Sequence, residues 1–202
     1  MKVLGILGGI ASGKSLVSRE LARLGAEVID ADRLGHEVLR EPDVIAAAQS
    51  RWGDVVLGTD GELDRRQIAQ IVFSQTPQGI TERQFLEQLT HPRISAKMRD
   101  QISQLATQGA VDAVVLDAAL LLEAGWDGYC DQILFVDAPL EIRQARAASR
   151  GWSPEDFAAR EAAQRSLAEK RSRSTVVIDN SASPEKTIAQ IQRFWNSLHE
   201  DE

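Results

Sequence analysis

Residues 8 to 15 read Gly-Gly-Ile-Ala-Ser-Gly-Lys-Ser, a glycine, four residues, then glycine, lysine and a hydroxyl side chain. This is the spacing of a phosphate-binding loop. Glycines let the backbone curl so that successive amide hydrogens point at phosphate oxygens, and a following helix adds the positive end of its dipole. In such a loop Lys14 bridges the β and γ phosphates of ATP. Ser15 supplies the hydroxyl that coordinates Mg2+, offsetting charge on a phosphoryl group in transfer. Gly8, Gly9, Ile10, Ala11, Ser12, Gly13, Lys14, Ser15 and Leu16 are therefore the expected ATP-binding segment.

Two acidic positions extend the chemistry. Asp117 closes the run Val114-Val115-Leu116, where its carboxylate can reach Mg2+ directly or through water, or can instead cap a turn. Asp30-Ala31-Asp32 follows another apolar run, and in an open α/β sheet the ligand crevice lies outside the carboxyl ends of the strands. One of these carboxylates, set against an acceptor hydroxyl, would orient it and take its proton. A helix N-cap is the alternative role for Asp32.

The elements that must position these groups follow from short apolar runs. Lys2–Leu7, Ala26–Asp30, Val111–Asp117, Gln132–Val136 and Val176–Ile178 read as five strands, separated by helical stretches such as 13–24. Continuous apolar strands alternating with helices mark a parallel sheet covered on both faces, so the class is α/β. Two helical stretches depart from plain alternation, about 33–109 and about 140–173. Turn signals at Glu41-Pro42-Asp43, Gly58 to Gly61, Thr76-Pro77 and His91-Pro92 are expected to break the first. Ser153-Pro154-Glu155-Asp156 and Ser183-Pro184-Glu185 read as helix starts.

With 202 residues, 43% of them apolar, the chain can bury one substantial core, and a single domain with insertions is expected. A net charge of −7 argues against a nucleic-acid partner, because there is no overall basic field. Phosphate must then be held locally, and arginines between Arg143 and Arg173 suit it, unless they simply solvate a helix face. Cys130 is the only cysteine, so no intrachain disulfide can form, and the compartment expected is the cytoplasm. Lys2–Leu7 is too brief for a signal peptide, and no run approaches membrane-spanning length.

Across nearly its whole length the sequence resembles the dephospho-CoA kinase family. Gly8 through Ser15 match its loop signature, with Leu7 at a threonine position. Asp30-Ala31-Asp32 with His36, Leu63-Asp64-Arg65 with Phe73, and Leu89-Thr90-His91-Pro92 match further signatures. Asp117 with Leu120-Leu121 and Glu123, Arg146 with Arg150, Arg160 with Gln164, and Ile178-Asp179-Asn180 match the rest. The resemblance implies a three-layer P-loop kinase fold whose core is about 1–32, 110–139 and 174–202. Residues 33–109 would be a helical insertion that binds substrate, and 140–173 a helical lid.

The activity implied is transfer of the ATP γ-phosphate to the ribose 3′-hydroxyl of dephospho-CoA, the last step of coenzyme A synthesis. Asp32 would activate the acceptor; Lys14, Arg146 and Arg150 would hold phosphate, and Asn180 would join the ATP site. His36, Arg65, His91 and Asp117 would contact substrate, and Ser15 and Asp117 the metal. No membrane and no obligate protein partner is implied.

Four departures stand out. Leu16 replaces a threonine, Ala118-Ala119 a proline-containing pair, Glu161 an apolar lid residue and Ser174-Thr175 an alanine-aspartate pair. Other readings of the loop are a nucleoside, nucleotide or shikimate kinase, which shares none of the downstream signatures, or a nucleotide-binding regulator. A guanine-specific switch would carry an Asn-Lys-x-Asp or Thr-Lys-x-Asp segment, absent here.

Overall fold

The computed structural model describes residues 1–74 and 76–198; the last four residues of the expected 174–202 core segment lie outside them. The chain forms two compact units, one of residues 1–30 with 102–202 and one of residues 31–101.

In the first unit the five apolar runs are β1 (Lys2–Gly8), β2 (Glu27–Asp30), β3 (Ala113–Asp117), β4 (Gln132–Asp137) and β5 (Val176–Asp179). They pair in the order β2-β3-β1-β4-β5, every ladder parallel. β1 is central and buried from Val3 onward, which is why it reads as one apolar run rather than an alternation. Leu4 and Ile6 of β1 share a core with Val17 and Leu21 of α1 (Lys14–Arg23) and with Ile191, Phe194 and Trp195 of α9 (Pro184–Ser197). Burial of each such side chain contributes about 1.5–3 kcal/mol. This packing fixes the direction in which α1 leaves the loop after β1.

At the edge, Thr175 takes over a pairing role. Its amide donates to the Ile133 carbonyl at 2.9 Å, and its hydroxyl accepts from the Ile133 amide at 3.1 Å. The Ser174-Thr175 departure thus extends the β4–β5 ladder. After β3, the Ala118-Ala119 segment is held without proline. Ala124 and Trp126 amides donate to the Leu120 and Leu121 carbonyls, and Leu121, Leu122 and Trp126 are buried.

The second unit holds α2 (Ala31–Val38), α3 (Pro42–Trp52), α4 (Arg65–Val72) and most of α5 (Pro77–Gln108). Its core includes Leu34, Val38, Val44, Ile68, Val72, Ile94 and Met98. Buried Glu82 of α5 ties in α3, accepting from Arg51 Nε and Nη2 at 2.9 Å each and from Trp52 Nε1 at 2.7 Å.

Two local expectations are corrected. The break at His91-Pro92 does not occur: α5 runs through Pro92. Proline in a helix interior removes one amide and crowds the preceding turn, at a cost of about 3 kcal/mol. Burial of Thr90, Ile94 and Met98 on either side offsets it, and Arg93 Nη1 donates to the Leu89 carbonyl at 2.7 Å. Asp32 is not an N-cap either, because α2 already begins at Ala31; the side chain lies in the first turn. Capping of this kind falls instead to Asp64, whose Oδ1 accepts from the Arg66 and Gln67 amides at the head of α4.

The remaining helices of the first unit are α6 (Leu140–Ala148), α7 (Pro154–Ala162) and α8 (Leu167–Ser172). Ser153 opens α7 with a complete capping box to Asp156, as its sequence foretells.

Candidate active site

The segment between β1 and α1 is a tight turn at the carboxyl end of the central strand. The Ser12 amide donates to the Gly9 carbonyl at 3.1 Å, and two left-handed residues bend the chain toward α1, Ala11 at φ 57° and Gly13 at φ 105°. Only glycine suits position 13: a Cβ there would sit 2.0 Å from Asn180 Nδ2. Ala11 has a Cβ in a region that disfavours one, so the loop carries strain that its surroundings must hold.

The surroundings do so through the carbonyls. In a planar peptide the C=O and the next N–H point opposite ways, so donors that hold the carbonyls aim the amides. Lys170 Nζ of α8 donates to the Gly8 carbonyl at 3.4 Å, and Arg143 Nη1 of α6 lies 3.5 Å from the Ile10 carbonyl. The Ser12 carbonyl accepts twice, from Arg146 Nη1 at 3.0 Å and Asn180 Nδ2 at 2.7 Å. Carbonyls 8, 10 and 12 are thus all engaged by side chains from α6, α8 and the end of β5, which leaves the amides of Gly9, Ala11 and Gly13 directed the opposite way from those donors. Asn180 is itself oriented, its Oδ1 accepting from Thr187 Oγ1 at 2.9 Å, and Arg146 Nη2 donates to its carbonyl at 3.0 Å.

Cations gather here. Lys170 is buried, and its ammonium also donates to Gln164 Oε1 at 2.6 Å. Burial holds its pKa below the usual lysine range; Glu123 pulls it back up, and Lys14 pushes it down again. Burial, followed by the charge of Arg150, lowers Arg146 in the same sense. Among the expected nucleotide residues, Lys14 opens α1 and is half-buried, Ser15 is exposed beside it, and Leu16 donates its amide to the Gly13 carbonyl. Asp117 ends β3, in register with Asp30 of β2, while Leu116 before it pairs with Gly5 of β1.

In the second unit, Asp32 and His36 stand one turn apart on α2, both exposed, and Arg65 is the exposed first residue of α4. His91 lines a shallow groove of about 450 Å3 with Gln84, Glu87, Gln88 and Pro92. Burial depresses its pKa, with the Glu87 charge opposing.

The expected residues that the fold brings together are therefore Gly8, Ile10, Ser12, Gly13, Arg146 and Asn180. Arg143, which opens the arginine-bearing stretch 143–173 but has no individual role assigned from the sequence, and Lys170, which has none, join them. The signal available is slight: Arg143 and Ala147 share one buried stripe of α6, where a cation is out of place unless it has a partner inside.

The family model described as dephospho-CoA kinase matches residues 2–186. A dephospho-CoA kinase of Symbiobacterium thermophilum is 40% identical over 98% of this chain and 81% of its own length. That of Geobacter sulfurreducens is 38% identical over 96% of this chain and 98% of its own. The crystal structure of TT1252 from Thermus thermophilus is 35% identical, with a TM-score of 0.81, covering 98% of this chain and 97% of that one. A loop of this sequence on a sheet of this order, matched along nearly the whole chain, has one consistent meaning: the chain belongs to the dephospho-CoA kinase family.

Proposed function

We propose that the chain phosphorylates the ribose 3′-hydroxyl of dephospho-CoA with ATP, giving coenzyme A and ADP. The observation that carries this reading, beside family membership, is the set of side chains holding carbonyls 8, 10 and 12 outward. A polyphosphate then meets amides already aimed at it, and electrostatic stabilisation is greatest when donors need no reorganisation at the moment of reaction.

The roles follow from residue chemistry. The loop from Gly8 to Leu16 binds the phosphates of ATP, and Lys14 follows the γ-phosphoryl group as its charge spreads in the transition state. Arg146 braces the loop and adds positive charge; Arg150, exposed just past the end of α6, contributes charge. Asn180 keeps Ser12 in place. Asp32 accepts the proton of the 3′-hydroxyl as its oxygen attacks the γ-phosphorus, while the bond to the bridging β,γ oxygen breaks and ADP departs. His36, Arg65 and His91 bind the acceptor, Arg65 with a fork suited to its phosphates.

The site also fits Mg2+. Ser15 and Asp117 are hard oxygen donors on α1 and β3 of one compact unit, the few protein ligands a nucleotide-borne Mg2+ takes. When bound, the ion would neutralise charge on the β and γ oxygens. Asp117 is assigned to the metal, with substrate contact as its second role. A cytoplasmic location accompanies the reading, since the only cysteine forms no intrachain disulfide. Burial and then the charges of Asp127 and Asp131 push the Cys130 thiol up to about 12, which keeps it protonated and inert.

The test is Asp32→Asn, which keeps size and removes the base. Turnover should fall by about 10²–10⁴, the usual contribution of a positioned base. ATP affinity, measured by equilibrium binding, should change less than about threefold. Turnover equal to that of the unsubstituted chain would remove Asp32 from the mechanism.

A further inference from the structure

Arg143 is the most enclosed cation on α6, at 4% exposure, and both Nε and Nη1 of its guanidinium are engaged. Nε donates to the Ala138 carbonyl at 3.2 Å, just past the end of β4, and Nη1 lies 3.5 Å from the Ile10 carbonyl. Nη1 also donates to the carboxylate of Glu161 on α7, and Cζ lies 5.5 Å from the Phe157 ring centre on the same helix. A methyl group built on Gly9 would fall 2.9 Å from Nη1, so the guanidinium lies directly on the loop. These groups all belong to the first compact unit.

Two facts that look unrelated meet at this residue. Ala11, next after Ile10, is the one non-glycine described residue at positive φ, a conformation that persists only where neighbours over-determine it. Glu161 is a partly exposed carboxylate, 33% exposed, that turns onto this buried cation. An arginine buried without an anion is strongly unfavourable, so a buried Arg143 requires a carboxylate, and Glu161 is it. We propose that Arg143 is a positioning residue for the phosphate loop, fixing the Ile10–Ala11 peptide from outside, and that Glu161 holds Arg143 there. Helix α7 is thereby coupled to the nucleotide site through one ion pair. The inference rests on the nucleotide-binding reading of the loop.

ADP binding measured by calorimetry on Arg143→Gln, Glu161→Gln and the double variant tests it, with thermal melts and acceptor KM alongside. Arg143→Gln should weaken ADP binding about tenfold or more, the scale of one charged hydrogen bond lost from a loop, and Glu161→Gln about threefold. The double variant should be no weaker than Arg143→Gln alone, because Glu161 acts only through Arg143. Acceptor KM should stay within about twofold in all three, a split that general destabilisation would not produce.

ADP affinity within about twofold of the unsubstituted chain in Arg143→Gln would overturn the inference. So would a Glu161→Gln loss that persists undiminished in the Arg143→Gln background. If Arg143→Gln does not fold, Glu161→Gln decides, since it keeps the shape of a half-exposed side chain; unchanged ADP affinity there overturns the proposal. An unsubstituted chain that binds no ADP would overturn the nucleotide reading itself, a different failure from normal binding that ignores Arg143.

Discussion

Beneath the phosphate loop, Arg143, Arg146, Lys170 and Asn180 each donate to a backbone carbonyl, and Arg143, Lys170 and Asn180 are buried. In the unit of residues 31–101 most of the groups proposed for the acceptor stand differently: Asp32, His36 and Arg65 are exposed on the first turns or outer face of their helices, and His91 is half-buried. On the proposed reading the difference matches the task of each side. A loop that binds the same phosphates in every turnover gains from being set in advance, because no reorganisation is then needed. The groups proposed to receive a large acceptor would, on the same reading, gain an ordered environment only when it arrives.

The comparison can be pressed first at Arg146. Its loss removes donors to both the Ser12 and Asn180 carbonyls, so Arg146→Ala should cost about 2 kcal/mol or more, roughly thirtyfold in kcat/KM for ATP. Because the residue braces the loop, ATP affinity should fall along with turnover, unlike the loss at Asp32. Steady-state kinetics identical to those of the unsubstituted chain would show that Arg146 merely decorates a helix.

A smaller effect is expected at Asn180. Asn180→Ala removes a 2.7 Å bond to the Ser12 carbonyl, but Arg146 still donates there, and Thr187 keeps a 3.3 Å bond to the Asp179 carbonyl. No buried group is orphaned, so denaturant unfolding should report a loss of about 1 kcal/mol. A loss above about 3 kcal/mol would mean that the two donors do not share the carbonyl as described.

The smallest effect belongs to the acceptor side. Burial lowers the folded-state pKa of His91 beneath its ordinary value of 6.5. Between the two values the unfolded chain binds more protons, so this contribution to stability is present above pH 6.5 and declines as pH falls through the folded value. His91→Gln should flatten that part of the stability profile in pH-dependent melts. An unchanged slope would assign it to other groups.

How much of this is legible in the sequence depends on the range of the interactions. The strands are legible because a strand buried on both faces writes itself as a run such as Val114-Val115-Leu116, and the loop because its spacing is dictated by phosphate geometry. Pro92 misleads, since a local propensity of about 3 kcal/mol is overridden by burial of Ile94 and Met98, which depends on chain brought in from elsewhere. The bracing set is the least legible part. Arg143 and Lys170 reach carbonyls 133 and 162 residues away in sequence, and nothing in their own neighbourhoods separates them from the arginines that solvate helix surfaces. Arg146 and Asn180 are reached through resemblance, and the reason for their presence, two donors on one carbonyl, appears only in three dimensions.

The most direct test of the account is a coupled assay of ADP release with Mg-ATP and four acceptors in parallel: dephospho-CoA, adenosine, a nucleoside monophosphate and shikimate. The account predicts turnover with dephospho-CoA and none above background with the other three. Faster ADP release with any of those, or none with dephospho-CoA from a folded chain that binds ATP, would contradict it.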